Sequence, residues 1–389
     1  MTGSNSLTAP VTTIRSHTGL RGIAAFTVFL AHLQANALTH GFNASVYHLF
    51  TWWFSYAVDL FFFLSGFIMY WVYVSDLKPV NWHSFYSARA GRILPLYYLT
   101  LFATIPIYLC GLMKHGTFAE AHLPAKLLLN LLIGSGVITG VNWTINLPSW
   151  SVSVEVFCYL ATFPALVWLH RRVQFLAKLS VAIVSMVACT VMVALIYRYP
   201  AAFSIPAIDW EGSWVGRGIF GFTAGFFLCS IFRHLHGSRM AGPLVDGIVL
   251  LIVAVFLAAG DGMLPGQSIL YTFPALLFFL AYDRGLSARA LQTPVLQWLG
   301  ERSYSIYLWQ FPGIAGFVYL RSVLLHHRPV DGGILGLATF GLVVLFVLGI
   351  SELSYTYFEM PIRRWFKGPR RAAEQAKPET LPSAFSRAD

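Results

Sequence analysis

Three ionisable side chains fall inside otherwise apolar stretches: His32, Asp59 and Glu155. A charge in hydrocarbon costs several kcal/mol, so such residues point to function before structure. A histidine beside two carboxylates is the pattern of general acid–base chemistry. Their depths agree when each stretch is read as a helix rising 1.5 Å per residue. His32 lies about 12 Å below His40, Asp59 about 10 Å below Trp52, and Glu155 about 8 Å below Trp150. A base and two carboxylates are therefore expected at one level of the membrane. A second group, Arg21, Arg89 and Arg92, stands where two apolar stretches meet water. Guanidinium forks match phosphate oxygens bidentately. Arg21 and His32 share one helix about 16 Å apart along its axis. That separation suits a long donor molecule with phosphates at one face and its reactive end deep in the bilayer.

Other patterns carry less chemistry. Gly216-x-Gly218-x-x-Gly221 matches a dinucleotide fingerprint, but it lies within an apolar stretch with no preceding strand. With Gly225 it reads as close helix packing. Twelve histidines include no HxxxH or HExxH box, so no metal site is expected. Cys110, Cys158, Cys189 and Cys229 lack metal-type spacing and read as small hydrophobes. Asn43-Ala44-Ser45 and Asn142-Trp143-Thr144 are glycosylation triplets on expected outer loops.

The elements that must hold these residues follow from composition. The 389 residues are 57% hydrophobic and only 11% charged. A soluble domain carries about 25% charge, so lipid must be the main solvent. Ten membrane helices are expected near 19–40, 52–74, 93–112, 150–169, 179–198, 214–232, 244–260, 267–282, 301–323 and 333–357. The shorter apolar run 126–141 is expected to be re-entrant or peripheral. This arrangement puts both termini and twenty of the 26 basic residues on the cytoplasmic side. The net charge of +10 is thus topology rather than nucleic-acid binding. The fold class is an all-α polytopic membrane protein. It comprises a cytoplasmic tail at 1–18, a transmembrane domain at 19–367 and a disordered polar tail at 368–389. The first helix reads as a retained signal anchor. The basic start of the tail, Arg363 to Lys367, is expected on anionic headgroups.

At these residues the sequence resembles acyltransferase family 3. Arg21 through His32 resembles the family's Arg-x10-His motif, and Asp59 to Phe67 its FFxLSGF segment. Arg89 to Tyr97 is similar to RxxRIxPxY, and Trp150 to Glu155 to WSLSVE. Ser303 to Trp309 and Glu359 to Trp365 complete a set of six in order. Two positions depart from the family: Gln310 stands where a histidine is frequent, and Val156 where a second Glu is frequent. No long extension is expected after the last helix.

The resemblance implies an integral O-acyltransferase of the bacterial inner membrane. It would move an acyl group, most simply acetyl, from cytoplasmic acyl-CoA to a hydroxyl of a carbohydrate or a related small acceptor. Acyl-CoA would be a co-substrate, with no bound cofactor, metal or nucleic acid. His32 would be the general base, with Glu155 or Asp59 fixing its tautomer, or else a covalent acyl carrier. Arg21, Arg89 and Arg92 would hold the CoA phosphates. Ser65, Trp150, Tyr307 and Gln310 would support the acceptor, and Ser65-Gly66 would also pack helices. The alternative is a proton-coupled transporter of a sugar or small metabolite, because buried histidine and carboxylates also relay protons.

Overall fold

The computed structural model describes residues 13–35, 52–74, 78–114, 122–139, 143–198, 204–205, 210–235, 240–324 and 334–367. The tails at 1–12 and 368–389, and the triplet at 43–45, lie outside the described residues, as does Asn142. In chain order the long helices are α1 (Arg15–Ala35), α2 (Phe54–Tyr73) and α3 (Trp82–Lys114). Two short helices follow, α4 (Leu123–Leu131) and α5 (Ser135–Ile138). Next come α6 (Ser149–Phe157), a π-helical turn at Cys158–Thr162, and α7 (Phe163–His170), which form one span. A two-residue antiparallel pair, Ser204–Ile205 with Trp210–Glu211, links α8 (Phe175–Arg198) to α9 (Gly212–Leu235). The chain continues through α10 (Gly242–Gly260), α11 (Ile269–Leu280), α12 (Gly285–Leu291) and α13 (Pro294–Glu301). It ends in α14 (Ser303–Leu324), α15 (Ile334–Ser354), a second π-helical turn at Tyr355–Glu359, and α16 (Met360–Lys367).

Seven of these helices are long and apolar enough to cross a membrane, or eight when α11 and α12 count as one bent span. Their outward side chains, such as Leu176, Leu250 and Leu345, are exposed, as lipid contact requires. The protein is therefore a multi-pass integral membrane protein. The other two of the ten expected spans are α1 and α14. Both exceed twenty residues but are less apolar, because they carry Arg21, His32, Ser303, Tyr304, Tyr307 and Gln310.

The described part of the 126–141 run falls in α4 and α5, and the nine residues of α4 rise only about 14 Å, too little to cross. The break at Leu132–Gly134 is held from both sides. Tyr97 donates to the Asn130 carbonyl at 2.8 Å and Ser153 to the Ile133 carbonyl at 2.5 Å. Fully buried Asn130 then ties this segment to the next, donating to the Trp143 carbonyl and accepting from the Ile145 N–H.

Helices α2 and α9 pack backbone to backbone. A Cβ on Gly66 would strike the Phe222 carbonyl, and one on Gly225 would strike the Phe63 carbonyl. Gly218 and Gly221 face Phe62 in the same groove. The fingerprint-like glycines are thus a packing surface, as expected. Both π-helical turns end two residues before a proline, Pro164 and Pro361. Each proline lacks the N–H that would continue the regular ladder, and the wider turn absorbs that loss.

Candidate active site

A cavity of about 110 Å³ opens among α1, α2, α3, α6 and α14. At one end, the arginine end, it is lined by Arg21, Arg89 and Arg92, then by Ser65, Glu155 and Tyr159, and further in by Ser151 and Tyr307. Phe61, Phe62, Ile68 and Met69 supply its apolar walls. Six of the ten residues singled out from sequence therefore border one space: Arg21, Arg89, Arg92, Ser65, Glu155 and Tyr307 are joined, while His32, Asp59, Trp150 and Gln310 lie outside its lining.

The arginines are held differently. Arg21 donates through Nε and a terminal nitrogen to the Gly300 carbonyl at 3.0 and 2.6 Å, at the C-terminal end of α13 where cations are favoured. Arg89 donates to the Tyr73 hydroxyl at 3.2 Å and lies over the Tyr73 and Tyr159 rings. Arg92 lines the cavity without donating a hydrogen bond to any described residue.

Glu155 accepts from Ser65 at 2.9 Å and from Tyr159, and the two hydroxyls are 2.8 Å apart. Tyr159 stands four residues after Glu155, one helical turn away on the same face. The carboxylate is thus fixed in the cavity wall, committed to these hydroxyls. Asp59 is committed elsewhere as well. Arg217 of α9 donates to both its oxygens, at 3.0 and 2.6 Å, and also to the Ser55 carbonyl at 3.0 Å. Asp59 and Arg217 are both fully buried. Arg217 is itself an ionisable residue in an apolar stretch, so the rule that found Asp59 could have found its partner.

His32 has other neighbours. Its Nδ1 lies 2.9 Å from the Val28 carbonyl one turn back, and its ring meets Phe54 edge-on. A carbonyl only accepts, so Nδ1 carries the proton and Nε2 presents a lone pair in the neutral ring. The tautomer expected of Glu155 or Asp59 is set by backbone instead. The Gln310 carboxamide acts on the His32 ring from α14. Gln310 is fully buried and donates to the Tyr307 carbonyl at 2.9 Å. The position where the family often has histidine thus adjoins His32.

One turn of α14 separates Gln310 from Tyr307, whose hydroxyl lies 2.9 Å from that of Ser151 at the inner end of the cavity. Pro312 explains the local polarity. It removes the N–H that the Leu308 carbonyl would bond, and buried Asn146 donates to that carbonyl instead at 3.1 Å. Trp150 packs against Phe62 and Trp214 behind the cavity wall.

Among the described residues no cluster of three metal-type ligands occurs. Cys158, Cys189 and Cys229 are buried free thiols, and Cys110 is a half-buried one.

Comparison with known proteins adds a family to this geometry. The chain is 28% identical to the exopolysaccharide production protein ExoZ of Rhizobium meliloti (strain 1021), over 65% of this chain and 74% of ExoZ. It is 28% identical to the acyltransferase MdmB of Streptomyces mycarofaciens, over 95% of this chain and 97% of MdmB. It is 24% identical to YrhL of Bacillus subtilis (strain 168), provisionally named a peptidoglycan O-acetyltransferase, over 89% of this chain. The match spans about half of YrhL, 54% of its length. No solved structure matches. A family profile described as an acyltransferase domain matches residues 15–352, so the chain belongs to the acyltransferase 3 family.

Proposed function

We propose that this protein transfers an acyl group, most simply acetyl, from acyl-CoA at the arginine end of the bundle to a hydroxyl of a carbohydrate or related acceptor. The observation that carries this reading is the cavity itself. It runs from Arg21, Arg89 and Arg92 to the Ser151–Tyr307 hydroxyl pair, about 4.5 Å along α14 from Gln310 and His32. The arginine end would be cytoplasmic, where the basic loops are expected. Phosphates would sit among the guanidinium groups, and the narrow cavity would admit the extended linker and its thioester. His32 would act as general base. Nε2 takes the proton of the acceptor hydroxyl, the alkoxide oxygen attacks the thioester carbonyl, and the carbon–sulfur bond breaks. The leaving thiolate recovers the proton from the imidazolium. The Nδ1–H bond to Val28 keeps the ring oriented throughout. Glu155 shapes the cavity wall, and Asp59 holds α2 to α9.

The relatives favour this chemistry over transport. One is named for exopolysaccharide production, one as an acyltransferase, and one provisionally for peptidoglycan O-acetylation. The test compares mass spectra of envelope glycans and metabolites from hosts carrying wild type or His32→Ala. Species heavier by one acyl group should appear with wild type and vanish with the variant. Spectra identical between the two hosts would refute the reading.

A further inference from the structure

Arg363 is not where its sequence neighbours are. Arg364 and Trp365 on α16 are exposed, Trp365 to 78%, and fit the expected headgroup contact. Arg363 turns the other way, into the bundle. Its terminal nitrogen donates to Glu359 at 2.6 Å, and Glu359 in turn accepts from buried Ser305 of α14. Helix α16 is clamped onto α3 beside this pair. Phe366 lies so close to Gly91 that a Cβ there would stand 2.7 Å from its side chain, and Ser87 donates to the Phe366 carbonyl at 3.0 Å. Gly91 precedes Arg92, so the clamp brings Arg363 within electrostatic reach of Arg92, and Arg21 feels the charge of both.

Four guanidinium groups thus converge at this end, Arg21, Arg89, Arg92 and Arg363, against two carboxylates, Glu155 and Glu359. Among these six groups two positive charges are left unbalanced, an arrangement that favours an anion. The Arg363 Nε is buried with no hydrogen-bond partner among the described residues. Arg363 does not line the cavity as Arg21, Arg89 and Arg92 do, so a phosphate meeting it lies outside that space.

We infer that Arg363 is a phosphate ligand at the mouth of the cavity and takes the outermost phosphate of the donor, the phosphomonoester on the ribose of acyl-CoA. This rests on the acyl-CoA reading above. A phosphomonoester carries about −1.5 to −2 charge at neutral pH, which matches the unbalanced pair. The pyrophosphate, nearer the thioester, falls to Arg21 and Arg92. Helix α16 is then part of the donor site, positioned through Gly91–Phe366 and Ser305–Glu359.

The test is titration calorimetry of the full chain in phosphatidylcholine nanodiscs with CoA and with 3′-dephospho-CoA. Wild type should bind CoA about tenfold or more tightly than the dephospho form. Arg363→Gln should abolish that discrimination and bind both forms as wild type binds dephospho-CoA. Arg363→Lys keeps the charge and should narrow the ratio at least about threefold; it decides the matter if Arg363→Gln does not fold. A purely structural role would weaken both ligands equally and leave the ratio intact, which overturns the inference. So does an Arg363 effect seen only when phosphatidylglycerol is added and unrelated to the nucleotide, since the anion is then a lipid headgroup. Wild type binding neither form defeats the acyl-CoA reading itself, a result distinct from an unchanged ratio.

Discussion

Replacing Asp59 by Asn removes one charge from a fully buried pair and leaves Arg217 facing a neutral amide. The wild-type contact is bidentate, at 3.0 and 2.6 Å, with Ser55 taking a further bond. Two unit charges near 4 Å attract by about 4 kcal/mol at an effective dielectric of about 20. Breaking a buried pair costs about 3–5 kcal/mol, mostly because the survivor is left uncompensated. Asp59→Asn should therefore destabilise the protein by about 3–5 kcal/mol. The double variant Asp59→Leu with Arg217→Met removes both charges and should return to within about 1–2 kcal/mol of wild type, since apolar replacement of a buried pair is often neutral. The assay is SDS-driven unfolding in bicelles followed by the fluorescence of the twelve tryptophans, with acyl transfer measured on the same samples. The double variant should retain transfer. A double variant as stable as wild type but inactive would place Asp59 in the reaction and refute its assignment as a tie between α2 and α9. Unchanged stability in Asp59→Asn would refute the energetic argument.

Three further outcomes follow from the geometry. Arg92→Gln should raise the KM for acyl-CoA about tenfold or more with little change in thermal stability, because Arg92 has no hydrogen bond to any described residue to lose; unaltered steady-state kinetics would contradict this. Asn146→Ala should cost about 1–3 kcal/mol in the same unfolding assay, because the Leu308 carbonyl freed by Pro312 is left without its donor. Asn146→Asp, which lacks the NH₂, should fail to restore it. Gly66→Leu should prevent recovery of folded protein in size-exclusion profiles, because any side chain there meets the Phe222 carbonyl, whereas Gly247→Leu, where nothing lies within 4 Å, should be recovered normally.

The architecture was legible because the membrane makes hydropathy nearly sufficient. Every expected span has a helix, and the 126–141 run is too short and too broken to cross. Helix α3 begins eleven residues before the expected start, because the Trp82–Arg92 segment is polar yet packed, and hydropathy does not register it. The candidate site was only partly legible in its arrangement. Depth along separate helices put His32, Asp59 and Glu155 at one level but could not say which way each faced. In the folded chain each has its own partner: Val28 and Gln310, Arg217, and Ser65 with Tyr159. Some partners had signals. Tyr159 and Arg363 stand at i+4 from carboxylates, and Arg217 interrupts an apolar stretch. The contact between Asn146 and Leu308 spans 162 residues and had only Pro312 to announce it.

The central claim is that His32 catalyses acyl transfer from a donor held at the arginine end. Its most direct test is release of free CoA from acetyl-CoA by the purified protein in nanodiscs supplied with host envelope glycans. Wild type should release CoA in step with acetyl groups gained by the glycan, while His32→Ala should still bind acetyl-CoA but release no CoA above background. Transfer that continues in His32→Ala, or acetylated glycan formed without CoA release, would contradict the account.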